Sequence, residues 1–592
     1  MTALNTDNDI LAILTTSSGK SMLALIPALL EQHLLTVLIL PLKSLITDYK
    51  RKLEQMDLPF LHYTGRTIPR GFCTPNLVLV SVDMAREQHW KQWIAEVDTV
   101  KHVQRFCFDE GHYPLTDAKF RKSVRDIFTI RSLPRQLLVF SGTISPKCEP
   151  MIKEMFLMHD NVKVFRSPST NRPEFQLIKT APQLKFDIPD IIHQLWTLHF
   201  AKFTPQERAL VFVPFIDLGQ NIAAKLGCQF YNSQDTDKDK EIAYHAWRNG
   251  THKIMVSTSA FSCGNDYPHI PLIIHAGTPR EMIGYIQEIS RGGRDKKQTF
   301  CYLLPIAQWS SASSTELDDL LGVKEMADMC FGPNKYCLRH KITQYNDGHG
   351  IHCQEDPNNH PCNHCLPTAG LLPSLGVSKV NPFKRKAPSD LYPAKAQKSI
   401  KLDEPIPRPV EVLSPEMQKT WDKIQKRTQA IHQNEADVRD GLATKLNLLL
   451  GDCAICHCTG QFIGEVYQQN RHEFKHCQFH QQHSAGEYMR LKNLITYNSK
   501  THEKICFICH VPSFGDKLHT PFNGPGNCQY LDIILPTVYS GYTHRKRALE
   551  EHFGTHWMTI EQFAFWLNGK LVKPEEKSNL ISVFIRIGKT SL

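Results

Sequence analysis

Eight short apolar runs, at 36–42, 76–81, 105–109, 137–142, 209–214, 254–258, 272–277 and 299–305, are nearly unbroken by polar residues. Longer amphipathic stretches separate them. A strand that is apolar on both faces must be covered on both faces, which is the situation of a parallel sheet whose crossovers are helices. The runs fall into two series of four. The expectation is therefore an α/β chain with two parallel-sheet domains, joined somewhere near 165–190.

Beyond residue 320 the character changes. Residues 320–366 are rich in cysteine and histidine, and 367–415 carries nine prolines with lysines and few apolar clusters, as a flexible linker does. Ser414-Pro415-Glu416 has the form of a cap and first turn, opening a polar helix to about residue 450. A second Cys/His-rich region fills 451–530, and an apolar, aromatic tail follows. Twelve of the 18 cysteines lie beyond residue 329, many as Cys-x-x-Cys pairs near histidines. The N-terminal segment lacks the basic and apolar regions of a signal peptide, so this spacing points to zinc rather than disulfides. No run of about 18 apolar residues marks a membrane span. The balance of 69 basic to 59 acidic residues leans mildly toward a polyanionic partner.

Three motifs carry phosphate chemistry, and a fourth, Ser141-Gly142-Thr143, lies among them. Thr16-Ser17-Ser18-Gly19-Lys20-Ser21 follows an apolar strand at 11–14 and opens a helix at 22–30. Such a loop turns backbone N–H groups and a helix N-terminus toward phosphates, with Lys20 on the β- and γ-phosphates and Ser21 on a magnesium ion. Asp109-Glu110 ends another apolar strand, where Asp109 suits magnesium and Glu110 suits polarisation of the attacking water. Ser141-Gly142-Thr143 follows the next strand, and its hydroxyls can couple the phosphate site to a nucleic-acid surface. Arg291 and Arg294, three apart behind Gln287 and spaced by glycines, can each fork onto two oxygens of a γ-phosphate held elsewhere.

Together these motifs make residues 14–300 resemble the two-domain motor of superfamily 2 helicases, most closely the RecQ family. Leu40-Pro41-Leu42-Lys43-Ser44-Leu45 is similar to that family's second motif and Asp109–His112 to its acidic box. Residues 260–268 are similar to its fifth motif and 287–295 to its sixth. Tyr231-Asn232 and the segment near Tyr244 and Trp247 sit where the family has its tyrosine-histidine strand end. The resemblance implies two RecA-like domains, an ATP-binding one at 1–175 and a C-terminal one at 176–320. A zinc module at 321–366, a linker at 367–415 and a Cys/His-rich region at 416–592 follow. It implies ATP and Mg2+ as cofactors, Asp266 near the ribose, Gln287 in the phosphate network, and Arg291 and Arg294 at the γ-phosphate. It also implies single-stranded and duplex DNA as partners, 3′ to 5′ movement and a nuclear location, for which Lys384-Arg385-Lys386 is a candidate address.

This sequence departs from the family at four points, the first being Leu14 or Thr15, depending on the register, where the phosphate loop usually begins with glycine. No counterpart of the family's adenine-reading glutamine segment precedes the phosphate loop, which predicts weaker base contacts. Gly111 stands where alanine is common. The aromatic-rich loop after His112 is shortened to 113–120 and lacks its tryptophan, although Phe120-Arg121 remains.

Cys337, Cys353, Cys362 and Cys365 are spaced x15, x8 and x2. Four thiolates suit tetrahedral zinc, and a closing Cys-x-x-Cys can wrap one ion. RecQ-like proteins carry a four-cysteine module at this place, and Arg339 is similar to one of its residues. In the C-terminal region Cys453 with Cys456 and Cys506 with Cys509 are the firmest zinc candidates. Cys458, His476, Cys477, His480, His510 and Cys528 are further ones. That region could contact DNA or protein partners. The leading reading is an ATP-dependent DNA helicase. Its rivals are a DNA-stimulated ATPase or translocase without unwinding, and a zinc-stabilised DNA-binding protein with a degenerate motor.

Overall fold

The computed structural model describes residues 6–15, 18–31, 33–65, 75–117, 126–261, 267–307, 315–332, 336–367, 413–463, 472, 474–477, 485–495, 509–511, 528, 530–568 and 579–589. They form two compact units, 1–424 and 425–592.

The first unit holds two parallel sheets. Strands β1 (Ile10–Ile13), β2 (Leu35–Leu40), β3 (Leu61–His62), β4 (Leu77–Ser81), β5 (Val103–Asp109), β6 (Gln136–Ser141) and β7 (Lys163–Arg166) make one sheet. Their order is β3-β4-β2-β5-β6-β1-β7. Strands β8 (Phe175–Lys179), β9 (Ala209–Phe212), β10 (Phe230–Tyr231), β11 (Ile254–Ser257), β12 (Leu272–Ala276) and β13 (Thr299–Leu304) make the other, in the order β10-β11-β9-β12-β13-β8. All pairings among these strands are parallel, as the apolar runs require. The alternation of side chains in β1 shows why the runs are unbroken. Ile10 and Ala12 pack with Ala24 and Leu25 of the helix Met22–Leu30, while Leu11 and Ile13 join the opposite layer with Val37, Trp90 and Phe106.

A buried ion pair fixes the lower end of the first sheet. Asp9, fully buried, receives two hydrogen bonds from Arg131 at 2.8 and 2.9 Å and one each from the Leu137 and His159 backbone N–H groups at 2.9 Å. Every carboxylate lone pair has a donor, which is the condition under which a buried charge is tolerated.

The cysteine-rich segment after β13 folds against both sheets. Its helix Leu338–Asp347 begins at Cys337 and ends at Gly348, whose φ of +81° closes the helix in the left-handed conformation. A later helix, Pro415–Leu448, starts where sequence expects it, with Ser414 Oγ accepting from the Met417 N–H at 3.2 Å.

The second unit is helical among its described residues. Helices Ala454–Ile463, Ala485–Leu494, Ile534–Phe553, Ile560–Leu567 and Asn579–Lys589 enclose a core that includes Val538, Tyr539, Trp557, Phe563 and Phe584. Among the described residues no helix is long and apolar enough to cross a membrane.

Candidate nucleotide site and cysteine clusters

Strand β1 runs into the phosphate loop, held by a hydrogen bond from the Leu14 N–H to the Ser141 carbonyl at 2.9 Å. Gly19 has φ of +82°, where a side chain would be strained, and open space where its Cβ would lie. Lys20 bends back over the loop, with Nζ 3.4 Å from both the Leu14 and Thr15 carbonyls. These are long bonds for a half-buried ammonium, and an anionic phosphate would complete its coordination. Burial lowers its pKa, against the raising charges of Glu110 and Asp109, and Arg294 and Arg172 lower it further.

The acidic pair closes the site from β5. Tyr49, buried on the helix Lys43–Gln55, donates to Asp109 Oδ2 at 2.8 Å. Burial and the adjacent Glu110 charge push Asp109 upward, to about 7, against the Tyr49 hydrogen bond and the Lys20 charge. Burial pushes Glu110 up too, but the charges of His112, Lys20, Arg291 and Arg294 prevail and hold it below the usual range. Glu110 sits at φ of +57°, and its N–H donates to Asp109 Oδ1 at 2.8 Å.

His112 links this pair to the other sheet. Its Nδ1 lies 2.7 Å from Ser141 Oγ and 3.1 Å from Thr143 Oγ1, and its Nε2 is hydrogen-bonded to the Gln287 amide. Gln287 also donates to Thr143 Oγ1 at 3.3 Å. Gln287 lies on the helix Met282–Ile289, and Arg291 and Arg294 follow in the turn behind it. Both arginines lie near enough to act electrostatically on Glu110. Lys20, Ser21, Asp109, Glu110, Gln287, Arg291 and Arg294 are thus brought to one place, with Ser18 and Gly19 in the loop beside them. Thr16, Ser17 and Asp266 lie outside the described residues, as do Phe120-Arg121, His480 and Cys506.

Two groups of cysteines come together. The sulfurs of Cys337, Cys353, Cys362 and Cys365 lie within 4.8 Å of one another, with Cys337 3.5 Å from Cys353 and 3.9 Å from Cys362. Tetrahedral zinc with bonds of about 2.3 Å spaces its sulfurs by about 3.8 Å, so these thiols stand at the right separation. Their hydrogen bonds to Cys337 and Cys353 drive Cys362 far below the ordinary thiol range. The second group joins the expected Cys453 and Cys456 to two further residues. Cys453 and Cys456 gather with His472 and Cys477, whose ligand atoms all lie within 4.8 Å, and Cys509 is not among them. Cys456 Sγ is 3.4 Å from Cys477 Sγ and 3.6 Å from His472 Nε2. His472, not His476, provides the nitrogen. The x2, x15 and x4 spacing of this set is the signal that locates it.

Three residues missed in the sequence bear on the site: Tyr49, His472 and Arg172. The Arg172 side chain donates to the carbonyls of Gly292 and Gly293 at 2.9 and 3.0 Å, within the arginine turn.

Comparison with known proteins agrees with this geometry. The DEAD/DEAH box helicase family model matches residues 1–151, and the helicase conserved C-terminal domain matches 190–296. A candidate ATP-dependent RNA helicase of Acanthamoeba polyphaga mimivirus is 26% identical over 310 residues, 50% of this chain and 54% of the relative. The RecQ-like DNA helicase BLM of Xenopus laevis is 23% identical over 319 residues, 50% of this chain and 23% of the relative. The ATP-dependent DNA helicase RecQ of a Synechocystis species is 26% identical over 331 residues, 50% of this chain and 64% of the relative. The chain thus spans less than two thirds of each. Among solved structures, S. cerevisiae Dbp5 bound to RNA and ADP BeF3 aligns with a TM-score of 0.42 at 14% identity, covering 55% of this chain and 84% of that one. With its two helicase domains, its paired parallel sheets and RecQ-like DNA helicases among its relatives, the chain belongs to the superfamily 2 helicases.

Proposed function

We propose that the chain is an ATP-driven DNA helicase of the RecQ type that moves 3′ to 5′ on single-stranded DNA and unwinds duplex ahead of it. The observation that carries this reading is the bond between His112 and Gln287, which joins the acidic box of one sheet to the arginine helix of the other beside Lys20. Hydrolysis at one sheet can then be felt by the other, which is what a motor needs and a plain nucleotide-binding protein does not.

In this reading ATP lies along the loop 14–21, its β- and γ-phosphates against Lys20. Ser21 and Asp109 would hold the magnesium ion, which supplies charge neutralisation at the phosphate oxygens. Glu110, kept ionised by the charges of Lys20, Arg291 and Arg294, takes the proton from the attacking water. Arg291 and Arg294 stabilise the charge that develops on the transferred phosphoryl group. Asp266 is assigned to the ribose. The domain limits proposed are 1–175, 176–320, 321–366, 367–415 and 416–592. One structural zinc at Cys337, Cys353, Cys362 and Cys365 and a second at Cys453, Cys456, His472 and Cys477 would tie their segments together. DNA would be gripped mainly through its phosphates, without sequence reading. The nuclear assignment rests on Lys384-Arg385-Lys386, outside the described residues.

The test is ATP hydrolysis with no nucleic acid, single-stranded DNA or single-stranded RNA, beside unwinding of forked duplexes bearing a 3′ or a 5′ tail. Stimulation by DNA with unwinding from the 3′ tail supports the proposal. Stimulation without unwinding makes the chain a DNA-stimulated ATPase or translocase, stronger stimulation by RNA moves it to RNA, and no hydrolysis removes the motor.

A further inference from the structure

The segment that joins the two sheets, 167–174, is held along its length by the helix Leu338–Asp347 of the cysteine module. Asp347 accepts from the Thr170 N–H at 2.9 Å and from its hydroxyl at 2.6 Å. Asn346 donates to Thr170 Oγ1 at 2.9 Å and to the Gly142 carbonyl at 3.3 Å, inside the Ser141-Gly142-Thr143 motif. At the other end of the helix Arg339, 2% exposed, spreads its guanidinium over four acceptors. These are Asn171 Oδ1 at 2.6 Å, the Arg172 carbonyl at 2.7 Å, the Phe175 carbonyl at 2.7 Å and the His360 carbonyl at 3.0 Å.

Arg172 then points the chain of contacts onward. Its Nε donates to Glu174 Oε1 at 2.5 Å, its guanidinium lies over the Phe175 ring at 4.6 Å, and its Nη2 reaches the Gly292 and Gly293 carbonyls. Gly293 is left-handed, with φ of +62°, and a Cβ there would meet Glu174 Cγ at 2.6 Å, so the turn is fitted against this segment. An arginine planar at two carbonyls and clamped by a carboxylate and a ring has few other rotamers open to it.

We infer that Arg172 is a positioning residue for the turn carrying Arg291 and Arg294, and that Arg339 of the cysteine module holds Arg172 in place. The module would therefore set the aim of the arginines on the γ-phosphate, in addition to stabilising its own segment. Arg172 bonds the backbone of residues 292–293, which Arg291 and Arg294 flank in sequence. Misplacing a reacting group by about 1 Å can cost about a hundredfold in rate while leaving ground-state binding largely intact. The kinetic part of this inference rests on the ATP-hydrolysis reading above. The structural part does not.

The experiment uses the full chain as wild type, Arg172→Gln, Arg172→Lys and Arg339→Gln, with three measurements on each. Backbone deuterium exchange of peptides covering 285–295 and 20–30 reads the turn and the phosphate loop separately. Binding of a fluorescent ATP analogue and nucleic-acid-stimulated kcat separate affinity from rate, and released zinc reports the module. Faster exchange at 285–295 only, by about tenfold or more, is expected in both glutamine variants. With it should come a kcat loss of about a hundredfold, near-normal analogue binding, unchanged zinc and partial recovery in Arg172→Lys. Wild-type exchange at 285–295 in either glutamine variant overturns the inference. So does loss of analogue binding in step with kcat, or loss of zinc in Arg339→Gln. If Arg172→Gln does not fold, Arg339→Gln decides by the same exchange criterion. If the wild type hydrolyses no ATP, the motor reading fails and the exchange data still decide the positioning role.

Discussion

Tyr49 donates its hydroxyl hydrogen to Asp109 Oδ2 at 2.8 Å in a fully buried contact, 60 residues away in sequence. It thereby fixes the carboxylate assigned to magnesium from behind. Ligating carboxylates held by such outer hydrogen bonds typically lose affinity about 10- to 100-fold when the partner is removed. Tyr49→Phe should fold and raise the magnesium concentration needed for half-maximal hydrolysis by about tenfold. An unchanged magnesium titration would mean that Asp109 needs no such support.

Gly111 lies where a Cβ would fall 2.3 Å from Val139 Cγ1 and 3.6 Å from Ile144 Cδ1. The glycine is thus matched to the valine beneath it. Gly111→Ala should destabilise the chain by about 1–3 kcal/mol through overpacking. Val139→Ala should also destabilise, by leaving a cavity. Combined, the two should cost less than their sum, because each change relieves the other. Denaturant melts of the two single variants and the double variant check this, and simple additivity would count against the contact.

His199 is buried in the second sheet's layer with Nε2 3.0 Å from the Tyr302 hydroxyl, and burial holds its pKa down at about 4. The unfolded chain therefore takes up a proton that the folded chain refuses. Stability from this group is full above the ordinary histidine range and is lost as pH falls from about 6.5 toward 4. Between pH 7 and pH 5 the loss should be about 2 kcal/mol. Denaturant unfolding of wild type and His199→Gln at both pH values isolates it, since only the wild type should show this component.

Metal analysis of the full chain should find about two zinc ions. Cys362→Ser should remove one, His472→Ala the other, and the double variant both. Retention of both ions in His472→Ala would return the second site to a different ligand set.

Much of this arrangement could be read from the sequence. The eight apolar runs became strands because parallel sheets bury both faces, and Lys20, Asp109, Gln287, Arg291 and Arg294 stood in recognisable strings. What escaped did so for physical reasons. Strand β7 is an edge strand whose side chains alternate between exposed and half-buried, so it has no apolar run. Strands β3 and β10 are two residues long. Tyr49 looks like any apolar-face residue of an amphipathic helix, and only the fold brings its hydroxyl to β5. Arg172 acts through backbone carbonyls, which leave no trace in a sequence. His472 is 16 residues beyond Cys456, whereas His476 sits next to Cys477 and draws the eye first.

The central claim is that groups from both sheets share one phosphate site. Single-turnover and steady-state hydrolysis by Lys20→Ala and Arg291→Ala, each paired with nucleotide-binding measurements, test it most directly. Lys20→Ala should lose binding and rate together. Arg291→Ala should bind nucleotide nearly as the wild type does and lose about 10³-fold or more in kcat, as an arginine that meets only the developing charge would. A well-folded Arg291→Ala protein with wild-type kcat would contradict the shared site.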